Sequence, residues 1–551
     1  MPSYLFVGIS FRKAYNIYAI FYNLLRFYLL KILTMKILLS NIKNVNGVGY
    51  IVWLIAAIFI LFWKLEDVVG LHRDEAIFGI YSQMILEGSR PLWGIFNIYT
   101  APIHAYMLAI VIKIFGDSIW SLRVLGPIFS LITITMVYDV IRHYSVVRAR
   151  WTACFLITFP PVVVFSRLCA EVYVLHPFLF FGTIWIYQRL CLSQKRYLRV
   201  IGWLLTGAFV SIGIWNHVIF LPSAVALIFA YLVFLWPGTR LFFYSLLFFL
   251  PGFFLGLIPR IISAIYFGFS FFPETPSLPM ISIASAIKNL FYTLSGDGLY
   301  ARFSGRSTFF FTWGIAGILL IFLILRLFSI TKIRQKKLLC GTGVFLLINF
   351  LFIWKMSAFG SICSRFWLIP VWIFPVLLGL LMEDIHSLKW HMLGYAVIII
   401  HTISLLLNYY IPCSYSPGVV APAVYVGGKY DNTWDYYDHR QIVKKLAHTD
   451  SNYIFISDQN VFTFYYLMPQ DQKHRIKMLW PIKLTEKNIP PEKSKLFDLV
   501  TYIGSIPKSS RFLFYDSDKI SLDDFSRMSF FKWLIIDSNT SIPGFTVYRV
   551  K

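Results

Sequence analysis

Ala101-Pro102-Ile103-His104-Ala105-Tyr106-Met107-Leu108-Ala109-Ile110-Val111-Ile112-Lys113-Ile114-Phe115 is the stretch on which the topology turns. It is apolar almost throughout, yet at 15 residues it is shorter than the roughly 20 that a membrane-spanning helix needs. His104 and Lys113 interrupt it further. If this segment crosses the membrane, the basic cluster Arg142-His143 with Arg148-Ala149-Arg150 falls on the outer side. If it lies along the surface, that cluster falls inside, where basic loops concentrate. The second choice makes roughly 76–116 a long outer loop carrying juxtamembrane helices.

With that choice the remaining apolar runs fall into register. The first span is Gly49 to Trp63, and further spans are read at about 118–141, 151–166, 172–189, 200–216, 218–236, 241–259, 308–329, 338–354, 367–382 and 393–410. The strongest clusters of Lys and Arg after the N-terminal segment then share one side, as the positive-inside rule requires. The expectation is a mainly α polytopic membrane protein of about eleven transmembrane helices with outer juxtamembrane helices.

The bulk composition agrees. Of 551 residues, 58% are hydrophobic and 14% charged, where a soluble protein is nearer half apolar and a quarter charged. The net charge of +24 sits in short loops between apolar runs, so it encodes topology and not a nucleic-acid surface. Six scattered cysteines have neither metal nor redox spacing. Residues 1–47 form a basic segment read as cytoplasmic or interfacial, with Met35 an alternative start. Residues 48–410 hold the spans. Beyond about 411 the acids become frequent, and β-rich runs (Tyr453 to Ser457, Arg511 to Tyr515, Trp533 to Ile536) alternate with helical ones such as His439 to Ala447. That alternation predicts a small C-terminal α/β domain over 411–551, extracytoplasmic by parity.

Only twelve acids occur before residue 411, and five of them lie between Glu66 and Glu87. Asp74 and Glu75 stand together just after the first span. Ionisable groups at membrane depth are costly and mark candidate sites. The same pair also suits the N-terminus of a surface helix beginning at Ala76. Topology places further polar residues on the outer face: His104, Arg167, Glu171, Arg260, Arg302, Arg306, Lys355 and Arg365. Carboxylates and fixed cations at one lipid boundary suit an anionic, lipid-linked substrate, because Arg grips phosphate through charge-assisted hydrogen bonds and a carboxylate can accept a proton from an attacking hydroxyl. Cations at such boundaries also serve as headgroup anchors.

The order of the pieces resembles the GT-C membrane glycosyltransferases, in particular the bacterial and archaeal relatives of protein O-mannosyltransferases and lipid A aminoarabinose transferases. The Asp74-Glu75 pair, Tyr99-Thr100-Ala101-Pro102-Ile103-His104, Phe115-Gly116-Asp117-Ser118, Leu122-Arg123, the run from Pro160 to Glu171, and Ser364-Arg365-Phe366-Trp367-Leu368-Ile369-Pro370 follow in the family's sequence. The resemblance covers most of 48–410. It implies a sugar transferase of the plasma (inner) membrane, with its active site on the extracytoplasmic side. The donor it implies is a polyprenyl-phosphate sugar, and the acceptor a hydroxyl of a lipid, glycan or protein. Carried over by position, Asp74 is the general base, Glu75 and Glu171 orient the acceptor or the base, and Arg365 with other outer cations holds the departing phosphate. Two departures stand out. Thr100-Ala101-Pro102 replaces a frequent Lys-Pro-Pro, and the second outer acid is Glu171 where Asp is common. No cofactor is certain; a divalent metal serves some members, and the sequence shows no dedicated cage for one. A flippase or other transporter of lipid-linked saccharides, and a polymerase or ligase of them, are the alternatives. The absence of an internal repeat weighs against the first, and the early Asp-Glu loop against the second.

Overall fold

A computed structural model describes residues 47–67, 71–89, 91, 100–234, 238–267, 282–295, 333–356, 364–382, 388–410, 440–449, 454–456, 461–480, 500–502, 511–515, 534–539 and 545–550. The described residues begin with α1 (Gly47–Phe62), α2 (Arg73–Leu86), α3 (Ile103–Phe115), α4 (Ile119–Arg123) and α5 (Leu125–Arg142). Next come α6 (Val146–Thr158), α7 (Pro160–Ser166), α8 (Glu171–Ile186), which runs into a π-helical turn Tyr187–Cys191, α9 (Arg196–Asn216), α10 (Phe220–Phe234) and α11 (Thr239–Phe267). After α12 (Ile283–Ser295) and α13 (Ile333–Met356), a 3₁₀ turn Ser364–Trp367 leads into α14 (Leu368–Met382) and α15 (Leu388–Leu405), which ends in a π turn Leu406–Tyr410.

Among the described residues, three helices are long and apolar enough to cross a membrane: Ile119–Arg142, Arg196–Asn216 and Thr239–Ile262. Val146–Thr158 and Pro160–Ser166 form a fourth when taken as one broken span, bent by 64°. The break has a clear cause. Pro160 and Pro161 have no N–H to donate back to the preceding turn, and their rings clash with its carbonyls, so the helix stops at Thr158 and restarts in a new direction. The expected spans near 49–63, 218–236, 338–354, 367–382 and 393–410 appear as shorter apolar helices, the span at 172–189 is the 16-residue α8, and the run 308–329 lies outside the described residues. The short apolar stretch 103–115 is a separate helix, α3, joined to α2 by side-chain and backbone contacts: Ser82 Oγ donates to the Ala105 carbonyl at 3.0 Å.

The bundle has two ends. α5 starts beside Arg123 and, at 18 residues, carries the chain about 27 Å to Arg142. α8 and α9 run down and back between the same two ends. α9 and α11 cross at close range, because the backbone of each helix fills the space a Cβ would need at Gly207 and Gly252, the small-residue contact that lets helices pack without a solvent-driven hydrophobic effect.

The C-terminal part contains α16 (Arg440–Ala447), α17 (Val461–Leu467) and six strands: β1 (Ile454–Ile456), β2 (Ile476–Trp480), β3 (Val500–Tyr502), β4 (Arg511–Tyr515), β5 (Leu534–Asn539) and β6 (Phe545–Val550). Their order across the sheet is β3-β2-β1-β4-β6-β5. β3, β2, β1 and β4 run parallel, and β6 is antiparallel to both β4 and β5. The runs read as strands at 453–457, 511–515 and 533–536 are β1, β4 and β5. This part does not stand off from the helices. Tyr466 on α17 belongs to the same buried core as α2 and α3, and its ring occupies the space a Cβ would need at Gly79 on α2.

Candidate active site at the N-terminus of α2

α2 begins at Arg73, three residues earlier than the sequence reading placed it, and its start is capped from both sides. The His72 N–H donates to Glu75 Oε2 at 3.1 Å, and the Asp74 N–H donates to His72 Nδ1 at 3.1 Å. These are the reciprocal bonds of a capping box, with His in the place more often taken by Ser or Thr. Because Nδ1 accepts a hydrogen bond, the His72 proton sits on Nε2 and the ring is neutral. The 3.9 Å approach of His72 Nδ1 to Asp74 Oδ2 is therefore not an ion pair.

The two adjacent acids part company here. Glu75 is buried, its side chain 2% exposed. Its Oε1 accepts from Arg123 Nε at 2.8 Å and from the Cys169 N–H at 2.8 Å. Oε2 accepts from Arg123 Nη2 at 2.6 Å as well as from His72. Arg123 is itself fully buried and also donates to the Leu65 carbonyl at 3.2 Å. Four donors on one carboxylate, two of them a bidentate guanidinium, hold α2, α4 and the Arg167–Ala170 loop together. Asp74, one residue earlier on the helix, keeps 31% of its side chain exposed.

The other residues singled out from the sequence divide in the same way. His104 is buried on α3, with Nε2 3.4 Å from Cys169 Sγ and its ring edge-on to Phe78. Burial lowers its pKa to about 3, so the imidazole is neutral. Arg167, expected to hold substrate, is instead turned into the protein. Nε donates to Tyr409 Oη, Nη1 to the Ile60 and Leu61 carbonyls, and Nη2 to those of Trp63 and Lys64. All five guanidinium donors are thus spent inside the protein, four of them on carbonyls at the C-terminal end of α1, where a cation also meets the negative end of the helix dipole. Tyr410 Oη adds a bond to the Ile60 carbonyl, so this node ties α1 to the π turn that ends α15.

Glu171 is the first residue of α8. It follows Cys169 by two positions, so its backbone starts beside the α2 cap. Arg365 lies in the 3₁₀ turn Ser364–Trp367, which is pinned to α12 by Trp367 Nε1 donating to Asn289 Oδ1 at 2.5 Å. Arg260 is buried near the end of α11, and Lys355 is exposed at the end of α13. Arg302 and Arg306 lie outside the described residues. The structure therefore brings Asp74, Glu75, His104 and the Arg167–Glu171 loop into one cluster. Among the described residues no three His, Cys, Asp or Glu side chains converge as metal ligands.

Sequence reasoning missed three participants. Arg123 was legible only as part of a motif, although a buried Arg one helix away is the expected partner of a buried Glu. Cys169 contributes its backbone, which no side-chain pattern reveals. Lys473, on the 3₁₀ turn Gln470–Arg475 of the C-terminal part, reaches 390 residues back to donate to Gln83 Oε1 at 3.2 Å, with Asp117 Oδ2 at 3.9 Å. Burial draws the Lys473 pKa down and the Asp117 carboxylate opposes it. Gln83 Nε2 donates to the same Asp117 carboxylate.

Comparisons with known proteins bear on the fold. Residues 99–266 match the family described as dolichyl-phosphate-mannose-protein mannosyltransferase. ArnT from Cupriavidus metallidurans bound to undecaprenyl phosphate superposes with a TM-score of 0.58 at 13% identity, over 92% of this chain and 98% of that one. The same enzyme in the apo state gives 0.59 at 12% identity over the same shares. No curated protein matches the chain by sequence. The chain therefore shares the fold of ArnT, the likeness that the order of its motifs suggested.

Proposed function

We propose that this protein transfers a sugar from a polyprenyl-phosphate donor to a hydroxyl acceptor on the extracytoplasmic side of the membrane. The observation that carries the reading is the division of labour between Asp74 and Glu75. Glu75 is spent on structure, accepting from four donors, while Asp74 is held beside it on a capped helix with its carboxylate accessible. A carboxylate so placed can accept the proton of an acceptor hydroxyl as that oxygen attacks the anomeric carbon. The bond from that carbon to the phosphate breaks, and the polyprenyl phosphate leaves with the electron pair. The leaving phosphate needs little protonation, so the nucleophile needs most of the help. Arg365 is the cation assigned to the departing phosphate, and Glu171 the residue that orients the acceptor beside Asp74. Residues 411–551 form an α/β domain on the same side, resting on α2.

The test is transfer itself. Membranes with and without the protein are compared for lipid-linked sugar consumed and glycosylated product formed, then purified wild type and Asp74→Asn are assayed for turnover and donor binding. Loss of turnover with donor binding intact supports the assignment. Movement of intact lipid-linked saccharide between leaflets, with no new glycosidic bond, would identify a flippase instead.

A further inference from the structure

We infer that the end of the bundle opposite Asp74 carries a binding site for an acidic phospholipid, formed by the loop between α5 and α6 and the π turn that leads into α9. The inference does not depend on the transferase reading. Seven cations stand on these segments: Arg142, Arg148, Arg150, Arg189, Lys195, Arg196 and Arg199. Among the described residues, the acid they pair with is Asp139. Arg142 Nε approaches Asp139 Oδ1 at 3.1 Å and Arg189 Nη2 does so at 2.7 Å, while Arg189 Nε and Trp185 Nε1 bind Oδ2 at 2.8 and 2.9 Å. The carboxylate is saturated and outweighed by these two arginines alone. Its role is to fix the two loops side by side, which a further bond from Gln188 Nε2 to the Val140 carbonyl at 3.2 Å reinforces.

Two observations say what covers this surface. Arg199 Nε is buried without an acceptor among the described residues, an expensive state for a donor on a charged group. Around the cations, large apolar and aromatic side chains are left outside the protein: Tyr144 at 59%, Leu192 at 55% and Tyr197 at 59% exposed, with Val146 and Val147 beside them. A soluble anion would satisfy the arginines and leave these rings in water. A phospholipid does both, because its phosphate meets the guanidinium groups while tyrosines settle at the headgroup level and the aliphatic side chains meet acyl chains. A net positive cleft selects an acidic headgroup over a zwitterionic one.

The experiment uses purified full-length protein in nanodiscs of phosphatidylcholine, with and without phosphatidylglycerol, read by thermal unfolding and by the lipid retained in native mass spectrometry. We expect phosphatidylglycerol to raise the melting temperature and to be retained in preference. Each cation removed should weaken retention about fivefold. The variant Lys195→Gln/Arg196→Gln/Arg199→Gln should therefore lose the preference, while melting as wild type does in phosphatidylcholine alone. Lys113→Gln, an exposed cation at the other end, should keep it. If the triple variant melts early in phosphatidylcholine, the exposed Arg196→Gln alone provides the comparison. Unchanged retention in the variant, an equal loss in Lys113→Gln, or equal stabilisation by inorganic phosphate would each overturn the site.

Discussion

Replacing Glu75 by Gln should unfold this protein far more readily than its one-atom difference implies. The carboxylate of Glu75 is surrounded by donors: Arg123 Nε and Nη2, the Cys169 N–H and the His72 N–H, at 2.6 to 3.1 Å. An amide keeps one acceptor oxygen and turns an NH₂ toward donors that have nowhere else to go. It also leaves Arg123, fully buried, without its counter-charge. Breaking a buried pair by removing one partner costs about 3–5 kcal/mol, a large share of the roughly 5–15 kcal/mol that holds a domain folded. The assay is thermal or denaturant unfolding of the purified variant in bicelles, followed by turnover per folded molecule. Arg123→Leu should be at least as damaging, since it leaves the charge on Glu75 stranded. The double variant Glu75→Leu/Arg123→Leu should lose less than the Glu75→Leu and Arg123→Leu losses added together, because an apolar pair of similar volume has no charge to strand. A Glu75→Gln protein with wild-type unfolding would refute the argument, and so would additive losses in the double variant.

Asp74→Asn should lower turnover by about 10²–10⁴ with donor affinity retained; wild-type turnover in folded protein removes Asp74 from the mechanism. Glu171→Gln should reduce turnover less, whereas Arg365→Ala should raise the donor dissociation constant, both checked in the same transfer and binding assays. Gly79→Ala should destabilise the seat of α17, since the new methyl group meets the Tyr466 ring, and Tyr466→Leu in the same chain should recover part of the loss in limited proteolysis of the C-terminal part. His104 binds its proton in the unfolded chain near the ordinary pKa of about 6.5 but in the folded protein only near about 3. Its contribution is therefore present above pH 6.5 and lost as the pH falls toward 3, and His104→Asn should flatten the acid side of the unfolding profile. A cysteine placed at position 146 should resist membrane-impermeant labelling from outside intact cells.

Much of the helical plan was legible because hydropathy and charge act at the level of whole segments. The run 101–115 was legible as a short separate helix, and it is α3 (Ile103–Phe115). The adjacent acids stood out in the sequence, yet the sequence could not distinguish their fates. Both residues sit on the same turn, and only the arrival of Arg123 and of the Cys169 backbone decides which of them is buried. Arg167 shows the same limit in reverse. A cation beside an acid at a span end reads as a substrate ligand until the open carbonyls of α1, more than a hundred residues earlier, are seen to claim it. Pairings over such separations leave no local periodicity to read. The proline break at Phe159 was visible as Pro160-Pro161, but it was read as an uninterrupted span.

The seating of α17 on α2 also has a consequence in time. Gln83 finds Lys473 across 390 residues, and Gly79 receives Tyr466 across a comparable stretch. At about 5–20 residues per second of synthesis, roughly 20–80 s separate the two sides of this contact. Through that interval the helix bearing Asp74 waits with one flank uncovered, long after its own cap has formed. In a nascent or prematurely ended chain α2 is therefore an exposed apolar surface, available to membrane chaperones and proteases, and its closure reports that α17 has been made and seated.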